Sequence, residues 1–156
     1  MLGIRSNSFI GKFSPPVIGY TMLRLAIGMS MLIHGLGRLP KYSAFVEATV
    51  QQFAHSPLPM APVMALARMT PPVETVIGLL VFLGFLTWLG LAAGGLWMVP
   101  LIFGSTLIEN YDIVAIQLLY SLIFCYLLQH LDQNELSIDS LIRHRREARH
   151  RKERTE

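Results

Sequence analysis

The chain has 156 residues, 53% hydrophobic and only 15% charged, with a formal net charge of +3. Soluble domains carry about 25% charged residues, so this composition excludes an ordinary soluble enzyme and indicates a single membrane domain. The charges also lie mainly at the two ends of the chain, since 13 of them follow Leu131 and two precede Pro15.

The N-terminal segment, residues 1–16, carries Arg5 and Lys12. It has no small-residue cleavage site after a short apolar stretch, so we predict an uncleaved cytoplasmic start and not a removable signal peptide. The first predicted span follows at residues 17–36, which are apolar apart from two ionisable side chains.

A segment of mixed composition, residues 40–71, follows the first span. Five apolar side chains within it have near-helical spacing, namely Tyr42, Phe45, Val46, Val50 and Phe53. This spacing predicts a short amphipathic helix lying on the outer membrane surface. We expect Pro71 and Pro72 to open the second span, because proline is tolerated in the first turn of a helix.

The longest uncharged stretch of the chain runs over 34 positions from Thr75 to Ile108. As one helix it would be ~51 Å long, whereas the hydrocarbon core of a bilayer is ~30 Å thick. We therefore predict two spans, residues 72–87 and 88–108, that fold back on each other at the glycine-flanked segment 84–90.

The fourth predicted span covers residues 112–131 and precedes a basic tail, residues 132–156. The sequence thus predicts an all-α membrane protein: a four-transmembrane-helix bundle with a short amphipathic outer segment between helices 1 and 2. Four spans place both termini on one side. Nine basic residues in the termini, against three between the first two spans, favour the cytoplasm for that side. The candidate ligands of the basic tail are anionic lipid and a partner protein, and the alternative, which we prefer, is that the tail only determines this topology. We expect no nucleic-acid partner.

Four ionisable residues are predicted to lie at similar depth near the outer face, when ~1.5 Å of rise is counted per residue. They are His34, Arg38, Glu74 and Glu109. One interpretation is a polar pocket in which Glu74 pairs with Arg38 or His34 and transfers protons or binds a polar ring substituent. The alternative is an interfacial salt bridge that holds the helices together, with Glu109 in a solvated loop.

Arg24 is predicted to lie deeper, ~10 Å from the cytoplasmic edge of its span. A charge at this depth needs a partner, yet no acid occurs at the same depth in any span. Its candidate partners are Tyr120, Tyr126, Gln129, backbone carbonyl groups or an anionic ligand. The alternative is that the side chain snorkels toward the cytoplasmic head groups.

The sequence indicates no metal site. His34 and His130 fall at opposite ends of the predicted bundle, which argues against one haem bound by both within a chain. The single Cys125 has no partner for a disulfide within the chain. Phosphate-binding glycine motifs and flavin motifs are also missing from the sequence, so we predict no cofactor held by the chain alone.

Three segments resemble the DoxX-type membrane proteins. They are Leu23–Gly28 continued by Leu32–Leu39, Pro71–Phe85 with its Glu74, and the ending Ser137–Leu141. The resemblance covers about residues 17–142. Departures are Arg38 where lysine is usual, Thr87-Trp88 where an arginine is frequent, and residues 132–135 where the family is often glycine-rich.

This resemblance implies a four-helix protein of the bacterial inner (plasma) membrane that is associated with redox processes. A relative is the membrane subunit of a thiosulfate:quinone oxidoreductase, and other members assemble with oxidative-stress enzymes. The resemblance thus favours a subunit of a quinone-linked oxidoreductase that docks a quinone or a partner oxidoreductase. We also expect a homo-oligomer if the protein is a transporter component, because four spans alone are too few to enclose a path. The alternatives are a non-enzymatic scaffold that anchors a soluble enzyme and a small transporter component.

Overall fold

The computed structural model describes residues 14–154, so Arg5 and Lys12 lie outside the described part. Six α-helices occur in this part: α1 (Pro15–Arg38), α2 (Tyr42–Gln52), α3 (Met60–Leu83), α4 (Thr87–Leu107), α5 (Tyr111–Gln129) and α6 (Ile138–Glu153). Short 3-10 turns follow α1 and α5, and no strand forms between residues 14 and 154. Helices α1, α3, α4 and α5 are long and apolar enough to cross a membrane. The all-α, four-span prediction is confirmed, and α2 is the predicted short helix between the first two spans.

Helix α3 begins at Met60, so the expectation that Pro71 and Pro72 open the second span is wrong. Both prolines lie inside this helix. Because Pro72 has no N–H group, the carbonyl oxygen of Arg68 loses its usual partner within the helix. The Tyr42 hydroxyl donates to that oxygen at 2.9 Å. A side chain of α2 thus replaces the missing hydrogen bond and connects α2 to α3.

Glycines allow α1 and α3 to approach closely. A Cβ atom added at Gly28 of α1 would lie 2.6 Å from the backbone nitrogen of Phe82 in α3. Gly90 and Gly94 of α4 have two different neighbours. A Cβ at Gly94 would lie 2.6 Å from the Phe124 ring of α5, and one at Gly90 would lie 3.0 Å from Val81 of α3. Small residues therefore bring helix backbones together, as is common within membranes.

The buried core extends along the middle of the bundle and takes side chains from all four spanning helices. Its most buried members are Tyr20, Ile27, Met31, Ile77, Val81, Leu91, Met98, Phe124 and Leu127. Most large apolar side chains outside this core are exposed on the surface of the bundle. That pattern is expected where lipid, and not water, surrounds the helices.

The turn between α3 and α4 is shorter than the predicted bend. Helix α3 ends at Leu83, and Gly84 and Leu86 adopt left-handed conformations with φ of 65° and 47°. Helix α4 then begins at Thr87, inside the segment that was expected to bend. We call this end of the bundle, from which α6 starts, the tail end, and the opposite end, where α1 finishes, the Arg38 end.

Candidate functional site

Arg38 and Glu74 form an ion pair at the Arg38 end. Arg38 is the last residue of α1, and Glu74 lies on α3 with only 7% of its side chain exposed. The Arg38 guanidinium carbon also lies 4.8 Å from the centre of the Phe45 ring, in cation–π geometry. The structure thus brings together two of the residues that the sequence placed at one depth, which lie 36 positions apart in the chain.

This ion pair lies on the wall of a cavity of about 340 Å³ between α2, α3, α4 and α5. Most of the lining is apolar and includes the three aromatic rings of Phe45, Phe53 and Phe103. The polar side chains of the lining are Arg38, Thr49, Gln52, Thr70, Glu74, Ser105 and Gln117. The arrangement combines an apolar space with one charged pair and a few hydrogen-bonding groups, as in sites for small amphipathic ligands.

Two other predicted site residues, His34 and Glu109, do not line this cavity. The His34 side chain is exposed on α1. Glu109 is exposed in the connection between α4 and α5, where its φ is 56°. Their depth predicted from the sequence matches that of Glu74, but depth alone does not determine which way a side chain is directed.

The uncharged polar residues of the cavity were missed as site residues by the sequence reasoning, which followed charged positions. Gln117 lies in an otherwise apolar span, and its Oε1 atom is buried without a hydrogen-bond partner in the described chain. Thr70 and Ser105 are buried on α3 and α4. Polar residues inside apolar spans were the only available signal, and that signal does not show which of them share a cavity.

At the tail end, Arg24 is buried, with 2% of its surface exposed. Its Nη1 donates to the carbonyl oxygens of Val81 and Phe82 at 2.6 and 2.8 Å, and its Nη2 donates to that of Leu136 at 2.9 Å. The first two carbonyls belong to the last turn of α3 and lie at the negative end of its dipole, and the Val81 carbonyl also accepts from the Gly84 N–H at 3.2 Å. Backbone carbonyls were among the predicted partners of Arg24.

Asp139 caps the start of α4 from a distant part of the sequence. Its Oδ1 accepts from the backbone N–H of Leu86 at 2.9 Å, and its Oδ2 accepts from the backbone N–H and the hydroxyl of Thr87 at 2.8 and 2.7 Å. Its own N–H donates to the Gly84 carbonyl at 2.9 Å. A carboxylate at this position satisfies free N–H groups at the positive end of the α4 dipole.

The α3–α4 turn is therefore held from both sides, with Arg24 on the carbonyl end of α3 and Asp139 on the N–H end of α4. We call the four residues Arg24, Gly84, Thr87 and Asp139 the turn cluster. Sequence reasoning missed Asp139 as a member, although it noted the Ser137-Ile138-Asp139 ending as part of the resemblance. The hydrogen bonds of this cluster join the end of α3, the start of α4 and the start of α6.

Residues 14–154 contain no group of three or more His, Cys, Asp or Glu side chains placed to hold a metal ion. His130, at the end of α5, stacks on the Tyr126 ring with centroids 4.3 Å apart. Its Nδ1 lies 2.8 Å from the Tyr126 carbonyl oxygen. His34 lies at the opposite end of the bundle.

The family model DoxX matches residues 19–106, more than half of the chain. The matched region contains Arg24, Arg38 and Glu74, while Asp139 lies beyond it. Comparison with curated proteins and with solved structures found no match for this chain. The family match, together with the four apolar helices, shows that this chain is a multi-pass membrane protein that belongs to the DoxX family.

Proposed function

We propose that this protein is a redox-linked membrane subunit that docks the head group of a quinone in the Arg38–Glu74 cavity and works with a partner oxidoreductase. The observation that carries the proposal is a single ion pair on the wall of a mostly apolar cavity within the bundle. The cavity volume of about 340 Å³ lies at the lower end of the range of small-molecule sites.

The lining suits a quinone head group, which is a flat ring with two carbonyl acceptors. Arg38 has guanidinium N–H groups beyond the one that binds Glu74, and these can donate to a ring carbonyl. The aromatic rings of the wall can pack against the ring faces. Reduction of a quinone consumes protons, and Glu74 is the acid on the cavity wall that can exchange them.

In this proposal a partner protein supplies the electrons that reduce the quinone, because the sequence has no flavin motif or metal-binding motif of its own. We place the tail end in the cytoplasm on the strength of the basic residues in the terminal segments. The cavity then lies near the outer face of the bacterial inner membrane. A homo-oligomer is compatible with this arrangement and forms part of the proposal.

The test is a titration of the purified protein in detergent with a short-chain ubiquinone analogue, followed by tryptophan quenching. We expect saturable binding that Arg38→Ala and Glu74→Gln each weaken about tenfold, the effect of losing one good polar contact. Arg68→Ala is the matched control, since Arg68 is exposed and its side chain does not line the cavity. Absence of saturable binding, or equal affinity in all four proteins, would contradict the proposal.

A further inference from the structure

Helix α6 begins at the tail end of the bundle and is held there. Only eight residues separate it from the end of α5. Its second residue, Asp139, binds the turn between α3 and α4 through four hydrogen bonds. Ser137 also caps the helix by accepting from the Ser140 N–H at 3.1 Å. Because that turn joins two spanning helices, the first turn of α6 lies at the level of the lipid head groups.

This helix carries an excess of positive charge. Its basic residues are Arg143, Arg145, Arg146, Arg149, Arg151 and Lys152, and Arg154 follows directly. Of its three acids, Asp139 is engaged in the turn cluster, Glu147 lies 3.7 Å from His144, and Glu153 lies 3.4 Å from Arg149. Arg145 and Arg146 are exposed and form no ion pair with any residue of the described chain. Two adjacent cations therefore remain available to an external anion.

Two apolar side chains lie one helical turn before these arginines. Leu141 is 60% exposed and Ile142 is 37% exposed, although both lie beside a membrane-spanning bundle. Residues four positions apart are neighbours on a helix surface, so Leu141 adjoins Arg145 and Ile142 adjoins Arg146. The same strip of α6 thus presents apolar groups followed by cations, which is the pattern of helices that lie in the membrane interface.

We propose that α6 binds the anionic phospholipid head groups of the membrane that its own bundle spans. Leu141 and Ile142 enter the interfacial layer, and Arg145 and Arg146 form charge-assisted hydrogen bonds with lipid phosphates. A membrane explains the exposed apolar pair and the anchored start of the helix together, because α6 is held next to the head groups before any partner arrives. An acidic protein would match the arginines only. This proposal is independent of quinone binding.

The experiment uses the full chain in lipid nanodiscs, which expose both membrane faces. An environment-sensitive dye is attached at Ala148→Cys in a Cys125→Ser background. We compare discs of phosphatidylcholine with discs that also contain phosphatidylglycerol. The dye emission is expected to shift to the blue only in the anionic discs, and the shift is expected to disappear in ~1 M salt, where the screening length is about 3 Å.

The double variant Arg145→Gln/Arg146→Gln is expected to lose more than half of the shift. The matched control Lys41→Gln/Arg68→Gln removes the same charge from the other end of the bundle and is expected to keep it. Equal emission in neutral and anionic discs would overturn the proposal, as would a shift that survives the double variant. A shift that appears only after polyglutamate is added would also overturn it, in favour of an acidic protein partner.

Discussion

The two ends of the bundle each contain an arginine from α1, but the partners of these arginines differ. At the tail end, Arg24 donates three hydrogen bonds to backbone carbonyls and is almost fully enclosed. At the Arg38 end, Arg38 pairs with one carboxylate, and 33% of its side chain remains exposed beside a cavity. One arginine is enclosed by the protein, whereas the guanidinium of the other is open to the cavity.

This difference separates a structural charge from a candidate binding charge. Arg24 donates to carbonyl oxygens at the end of α3 and in the segment before α6. Carbonyl groups at a helix end have too few donors within the helix, and the arginine supplies additional ones. The pair of Arg38 and Glu74 fills no such deficit, because side chains and not helix ends are its partners. The depths predicted from the sequence suggest the opposite assignment, because they make Arg24 the deeper charge, and a charge deep in a membrane is usually functional.

The largest effect is expected from Arg24→Met. The carbonyls of Phe82 and Leu136 lose their donor and that of Val81 keeps only the Gly84 N–H. Each unsatisfied group costs about 1–3 kcal/mol, so the free energy of unfolding should fall by about 4 kcal/mol. Arg38→Met is the comparison variant and should cost less, because Glu74 can take up a proton once its partner is gone. Unfolding in detergent, followed by circular dichroism, measures both. Equal losses would remove the distinction between the two arginines.

Asp139→Ala should have the next largest effect. The variant removes the cap from α4 and leaves the N–H groups of Leu86 and Thr87 without their acceptor, at a cost of about 2 kcal/mol. Asp132→Ala is the matched control, since Asp132 is an exposed acid at the same end. The same unfolding measurement applies. If the two variants were equally stable, Asp139 would not be holding the turn.

Gly84→Ala should cost about 1–2 kcal/mol, because φ at this position is 65° and an added Cβ would lie 2.6 Å from Ser137 Cβ and 2.8 Å from Arg24 Nη1. Gly19→Ala is the control, because a Cβ there would meet nothing within 4 Å. Thermal melting of the two variants side by side tests the prediction. A Gly84→Ala protein as stable as Gly19→Ala would contradict the close packing of the turn cluster.

The smallest loss of stability is expected from Glu74→Gln, which should change the free energy of unfolding by less than about 1 kcal/mol. Its partner Arg38 is partly exposed, and a glutamine oxygen can still accept from it. Quinone affinity should nevertheless fall, as proposed above. A stability loss as large as that of Asp139→Ala would favour the alternative in which the ion pair serves to pack α1 against α3.

The fold could be predicted from the sequence largely because an uncharged run of 34 residues is too long for one crossing. The start of α3 could not be predicted in the same way. Proline normally ends a helix, and α3 continues past Pro72 with the Tyr42 hydroxyl bound to the Arg68 carbonyl. That hydrogen bond joins two helices, so it becomes visible only after they have packed.

The candidate site was predictable in part. Counting rise along each span placed Arg38 and Glu74 at one depth, and the structure pairs them. The same count also placed His34 and Glu109 there, and it had no means of showing that their side chains lie outside the cavity. The capping role of Asp139 could not be predicted for a different reason. It caps a helix whose first residue precedes it by 52 positions, whereas the sequence patterns that indicate helix caps are local.

The position of Asp139 in the chain has a consequence for biosynthesis. Leu86 leaves the ribosome 53 residues before Asp139, whose carboxylate accepts the hydrogen bond from the Leu86 N–H in the folded protein. During insertion, the hairpin of α3 and α4 must therefore enter the membrane with its turn hydrogen-bonded to water or lipid head groups. The turn acquires its final partners only when α5 has been made and the chain returns to the same end. Completion of the C-terminal segment is thus the step that locks a hairpin synthesised much earlier.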